Sequence, residues 1–167
     1  NLETLFRTYE KVQNFNLKVN FLIVGDGIAL KACKAKMKNA VFTGKVDHQT
    51  LSILYASATL FLFTSVSETY GNVVLEAMAS GLPCIIADGG GSSDFIEQGI
   101  NGYKCDPFDE YDYFRRINHL INNEQLRNDF SAKGLEFSRN LSWDHLAATY
   151  FDELVQLSEL KLVKPLA

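Results

Sequence analysis

The chain has 167 residues, of which 47% are hydrophobic and 22% charged, and its net charge is −4. That length suits one domain able to bury roughly 70% of its unfolded surface, and an acidic balance without a basic cluster argues against nucleic acid as the main partner. Cys33, Cys84 and Cys105 are odd in number and lack C-x-x-C spacing. They therefore argue against a disulfide framework or a zinc site and fit a reducing cytoplasm.

In chain order, Leu2, Leu5, Phe6, Tyr9 and Val12 recur at helical spacing, so Leu2 to Gln13 is predicted as a helix. The start, NLETLF, has neither a Met nor a basic n-region, which reads as a cut from something longer rather than a signal peptide. Val19 to Val24 is an apolar strand closed by the turn Gly25-Asp26-Gly27. The next helix runs through Lys38; its LKACKAKMKN run reads as a solvated basic face, with a lipid headgroup or another anion as the alternative. Ala40 to Thr43 is a second strand, and Asp47 caps a helix reaching Ala58. Thr59 to Thr64, β-branched and aromatic, is the third strand. A polar loop from Ser65 to Gly71 leads into a short helix, Asn72 to Ser80, stopped by Gly81 and Pro83.

Pro83 to Ala87 is the fourth strand and places Cys84 in the core. Ser92-Ser93-Asp94 starts a short helix ending at Gly99, and Gly102 to Cys105 is an edge strand. From Asp109 to Leu160 the pattern is helical, with breaks at Asn122-Asn123 and Asn140 and with Ser142 as the last N-cap. Trp143 is expected to anchor that helix to the core. No apolar run of about 18 residues marks a membrane span. Alternating β and α elements predict an α/β fold, a Rossmann-like doubly wound parallel sheet with a helical C-terminal segment.

The loop before the short helix carries the chemistry. Glu68 lies at the carboxyl end of a strand and Glu76 lies inside the helix that follows. That rim of an open α/β sheet is where ligands bind, and the free N–H groups from Tyr70 to Val73 would hold an anion such as phosphate. Carboxylates flanking a phosphate accept hydrogen bonds from hydroxyls instead, which points to a sugar on each side of a diphosphate. On the helical wheel Val74, Leu75, Met78 and Ala79 form an apolar arc. Glu76 projects the other way with Val73, Ala77 and Ser80. Amphipathicity alone permits a solvated face, but a lone carboxylate among small residues suits a cleft wall. His48, His119 and His145 are dispersed and read as surface residues, and no H-x-x-E, H-E-x-x-H or D-x-D pattern suggests a metal.

The segment SETYGNVVLEAMASGLPCI resembles the E-x7-E signature of retaining glycosyltransferases of the GT-B fold, in the large GT4 family. FLIVGDG, VFTGKVDHQTLSILYASATLFLFTS and IIADGGGSSDFIEQGINGYKCDPFD resemble its flanking segments in the same order, from residue 17 to residue 150. The resemblance implies one half of a GT-B fold, with residues 1–167 as the nucleotide-sugar-binding C-terminal domain. It also implies an N-terminal truncation. In the family a first strand and a G-R-x(n)-K-G segment, whose Arg and Lys grip the diphosphate, come before the helix in which this sequence begins. That strand, that segment and the acceptor domain are therefore expected to be missing here.

Catalytic Glu68 is implied to touch the donor sugar and face its reacting carbon, and Glu76 to accept both ribose hydroxyls. Tyr70, Gly71, Asn72 and Val73 would offer backbone N–H groups to sugar and phosphates. Gly25 would edge the nucleotide pocket, and Val46 would lie near the base. Members of the resembled family often carry Phe where Tyr70 stands and usually carry Glu where Asp94 stands, so a function for Asp94 is not implied. The implied partners are a UDP- or GDP-linked sugar and, through the missing domain, a glycan or lipid acceptor. No nucleic acid, metal or other cofactor is implied. The implied setting is the cytoplasm, with the inner face of the membrane and peripheral association of the full-length enzyme as an option. Two rivals stay open: another GT-B enzyme such as a sugar-nucleotide 2-epimerase, and a degenerate domain kept as a nucleotide-binding scaffold.

Overall fold

The computed structural model describes residues 1–162, leaving aside the side chains of 143–146 and 159–162. Five parallel strands alternate with helices: α1 (Leu2–Asn14), β1 (Leu22–Val24), α2 (Leu30–Lys36), β2 (Val41–Gly44), α3 (His48–Ser57), β3 (Phe61–Phe63), α4 (Asn72–Ala79), β4 (Cys84–Ala87), β5 (Gly102–Cys105), α5 (Glu110–Ile121), α6 (Glu124–Asn140) and α7 (Trp143–Leu162). A 3-10 turn, Gly91–Phe95, connects β4 towards β5. The α/β class is as expected, but the strands form two hydrogen-bonded sheets rather than one. β1 pairs with β2, and β4 lies between β3 and β5.

Register explains the core. Leu62 pairs with Ile85, and Ile85 with Tyr103. Because side chains alternate along a strand, Ile85 points into a cluster with Val12, Tyr113, Ile117, Leu120 and Phe130. Cys84 and Ile86 point into the opposite cluster with Val74, Ala77, Met78 and Phe95. Helices α1 and α5 thus cover one face and α4 the other, the doubly wound arrangement, while α6 reaches both, with Phe130 in the first cluster and Phe137 against the second. A third cluster joins Phe6 and Tyr9 of α1 to Cys33 and Met37, with Ile23 and Phe42 packed against it.

Element ends are set by local chemistry. The Asp47 carboxylate accepts from Thr50 N at 2.7 Å and starts α3. Asn123 accepts from Leu126 N at 3.0 Å, so the Asn122-Asn123 break becomes the start of α6. β1 and β3 are each three residues, shorter than their apolar runs. Val19, Phe21 and Leu60 pack against the core from outside the ladders. The helix expected from Ser92 to Gly99 is only the short 3-10 turn. The Asn101 side chain accepts from Glu97 N and donates to Phe95 O, holding that stretch in a turn instead. The role expected of Trp143 lies outside the described side chains.

Candidate functional site

The site is built around the start of α4. Gly71 precedes it in a left-handed conformation, φ 87° and ψ 44°, that turns the chain from the rim of the sheet into the helix. The first N–H groups of any helix have no acceptor within it. Those of Asn72 and Val73 therefore mark the positive end of α4 at the carboxyl rim of β3 and β4. β3 ends at Phe63, and buried Thr64 continues the chain into the loop that carries Glu68.

Glu76 stands in the second turn of α4 and is exposed. It lines a cavity of about 270 Å³ between α3 and α4, together with His48, Leu51, Ser52, Tyr55, Ala79 and Ser80. The Tyr55 hydroxyl donates to Glu76 Oε2 at 3.3 Å and lies 3.4 Å from Val73 O. Half-burial, and after it the facing Glu76 charge, push the Tyr55 phenol well above its usual range, so it remains a proton donor. Ala79 therefore belongs with Glu76, not with the apolar arc. Ala77 is fully buried beside Val74 and Met78, because the core wraps α4 more widely on that side than the wheel assumed.

Glu68, in the loop before α4, is half-buried. Its carbonyl accepts from Gly91 N at 2.9 Å, which ties the 65–71 loop to the glycine-rich segment after β4. The Tyr70 ring packs edge-on to Phe95 at 5.1 Å between centroids. The two glutamates thus have different surroundings: Glu76 faces α3, and the Glu68 backbone lies against the glycine-rich segment. Gly71, Asn72 and Val73 are brought to that start as expected. Gly25 donates its N–H to Gly44 O at 2.8 Å on the β1–β2 rim, and Val46 lies two residues before α3. Neither lines the Glu76 cavity. Asp94 is exposed on the 3-10 turn.

Tyr55, Ser52 and His48 were missed as site residues. Their spacing with Leu51, i, i+3, i+4 and i+7 along α3, puts all four on the stripe that meets α4. That stripe was the available signal. Among the described residues no group of three or more His, Cys, Asp or Glu gathers as metal ligands. No described helix is long and apolar enough to cross a membrane.

The family model of the Glycosyl transferases group 1 matches residues 1–123. The chain is 29% identical over 144 residues to a GDP-mannose-dependent alpha-mannosyltransferase of Corynebacterium glutamicum, covering 84% of this chain and 35% of that protein. It is 31% identical over 147 residues to the N-acetyl-alpha-D-glucosaminyl L-malate synthase of Bacillus anthracis, covering 81% and 38%. The solved structure of TarM matches with a TM-score of 0.80 at 26% identity, over 91% of this chain and 32% of that one. HepE of Anabaena, solved in complex with UDP, matches in fold with a TM-score of 0.75 at 20% identity, over 90% and 44%. The chain spans little more than a third of the length of these curated relatives.

Proposed function

The chain belongs to the Glycosyl transferases group 1, and on that premise we propose that it is the donor-binding domain of a retaining GT-B enzyme. That enzyme moves a UDP- or GDP-linked sugar to a glycan or lipid acceptor. One observation carries the reading. A carboxylate oriented by a phenol lies in a cavity of about 270 Å³, on the helix that Gly71 turns into from the loop carrying the second glutamate, Glu68. In this reading Glu76 accepts the ribose hydroxyls, and the N–H groups of residues 70–73 meet the diphosphate. Glu68 touches the donor sugar at the reacting carbon. Donors aimed where leaving-group charge develops lower the barrier without a protein nucleophile, and fixed geometry supplies most of the remainder. Acceptor attack then proceeds on the face the diphosphate leaves.

We also propose that the cationic diphosphate grip and the acceptor domain belong to a longer enzyme, so that the 167 residues alone transfer no sugar. The division of the sheet supports this, because β1 and β3 each pair on one side only. One further parallel strand between them would make a continuous sheet. The short share of each relative that the chain covers supports it too. We place the enzyme in the cytoplasm, at the inner membrane face where the acceptor is a lipid. Three buried, unpaired cysteines fit that setting.

The test is a paired measurement on the full-length enzyme, after a thermal-shift panel of UDP, GDP and ADP has chosen the nucleotide. Glu76→Gln should weaken the bare diphosphate and the nucleotide sugar alike, by about 2–4 kcal/mol for two hydrogen bonds to a charged acceptor. Glu68→Gln should leave diphosphate affinity nearly intact and lower kcat roughly 10²-fold or more. Loss of bare diphosphate binding in Glu68→Gln, with normal turnover at saturating donor, would reverse the assignment.

A further inference from the structure

We infer that the segment Gly89-Gly90-Gly91-Ser92 is a positioning element that sets the depth of Glu68 through a reciprocal glycine interlock with the 66–71 loop. This rests on the proposed role of Glu68. The contact is closer than any side chain allows in three places, the mildest at Gly90, where a Cβ would lie 2.9 Å from the Glu68 carbonyl oxygen. A Cβ at Gly91 would lie 2.0 Å from the Thr69 carbonyl oxygen and 2.8 Å from its carbon. A Cβ at Gly71, from the opposite loop, would lie 2.4 Å from Ser92 Cβ. Each loop thus makes room for the other: Gly90 for the Glu68 backbone and Gly91 for that of Thr69, Gly71 for the Ser92 side chain. Between these points Gly91 N donates to Glu68 O at 2.9 Å, so the residue held is Glu68 itself. Ser92 is fully buried, and the Tyr70–Phe95 ring contact closes the far end.

The obstacle at Gly91 is backbone, which cannot rotate away as a flexible side chain would. Any L side chain there parts the loops by roughly 1 Å, a displacement of reacting groups that can cost about 10²-fold in rate. Glu76 sits apart from the interlock, towards α3, and the Tyr55 hydrogen bond holds it independently. Loosening the interlock should therefore lower turnover much more than nucleotide binding, of which only the share carried by the 70–71 N–H groups lies beside the displaced Thr69 backbone.

The experiment compares wild type and Gly91→Ala in the full-length enzyme. It reads diphosphate affinity with UDP, GDP and ADP, and kcat for diphosphate release from UDP-glucose, GDP-mannose and ADP-glucose. The expected result is a fall in kcat of roughly 30-fold or more with diphosphate affinity within about threefold of wild type. A folded variant with kcat within threefold would overturn the inference, and so would one whose diphosphate affinity falls in step with kcat. If Gly91→Ala does not fold, Gly71→Ala decides the matter, measured alone and with Ser92→Gly. Removing the Ser92 Cβ should recover at least a third of the decades of kcat lost, and no recovery would sink the interlock. A wild-type enzyme that neither binds nor turns over any of these nucleotides strikes the parent reading instead, so the two failures stay distinct.

Discussion

β4 and β1 are both short apolar strands in parallel ladders, yet their surroundings differ completely. All four residues of β4, Cys84 to Ala87, are fully buried between two partner strands and two helical layers. In β1, Leu22 and Val24 remain 41% and 38% exposed, and Val41 beside them on β2 is 57% exposed. Helix α3, which follows β2, has no buried residue, whereas α4 buries Val74, Ala77 and Met78. The three-strand half thus has a finished core, and the two-strand half is covered on one face only. The interlocked loops that carry Glu68 and Gly91 grow from the finished half, which suits the positioning role proposed for them. The half implied to read the nucleotide base is the one that still has apolar surface to cover.

The largest effect should come from the buried strand. Ile85→Ala removes a fully buried side chain from the cluster around Tyr113 and Phe130 and should cost about 2–5 kcal/mol in urea unfolding. Leu22→Ala, exposed on one face, should stay within about 0.5 kcal/mol in the 167-residue chain. The same Leu22→Ala in the full-length enzyme sharpens the comparison. If a further strand joins β1 there, its cost should rise above about 1 kcal/mol, because the leucine is then buried. Equal costs for Leu22→Ala and Ile85→Ala in the 167-residue chain would end the distinction between the halves.

The sequence showed the finished half more faithfully than the unfinished one. The apolar run around Cys84 read correctly as a strand because burial on both faces leaves no polar residue to blur it. Asp47 and Asn123 marked helix starts through local hydrogen bonding that neighbours alone determine. Glu68, Glu76 and Gly71 were legible as a spacing. What that spacing could not convey was tertiary. Ala77 and Ala79 exchanged sides, because the width of the buried stripe on α4 depends on what packs there. Tyr55 went unnoticed, since its interest lies in facing Glu76 across a helix pair, 21 positions away in sequence. The glycine interlock escaped notice for the same reason. Three glycines in a row name no partner until the Thr69 carbonyl is found against Gly91.

A smaller effect should come from the hydrogen bond that joins the halves. Tyr55 belongs to α3 and Glu76 to α4, and the phenol orients the carboxylate. Tyr55→Phe keeps the ring against Phe61 and deletes only the donor. Nucleoside diphosphate affinity should weaken by about 0.5–1.5 kcal/mol, with kcat at saturating donor nearly unchanged, because Glu68 is untouched. Calorimetry with the bare diphosphate checks this. A fall in kcat without a change in affinity would mean that the phenol serves the sugar and not the ribose.

The smallest effect concerns acid, and it should appear in the unfinished half. The Thr50 backbone N–H bonded to the Asp47 carboxylate holds that group below its ordinary value of 3.8. The folded state therefore favours the charged carboxylate more than the unfolded chain does. Its stabilising contribution is complete above the ordinary value and disappears as pH falls through the lower, folded one. Asp47→Asn keeps an oxygen that can cap Thr50 but carries no proton to lose, and it gives up the attraction between a negative charge and the start of α3. Wild type should therefore be slightly more stable than Asp47→Asn at neutral pH, and the two urea midpoints should converge below about pH 4. Because α3 buries no residue of its own, amide exchange in α3 should follow the same pH course while the amides of β4 do not. A difference that widens in acid, or one seen equally in β4, would show that the cap acts on the whole fold and that the halves unfold as one.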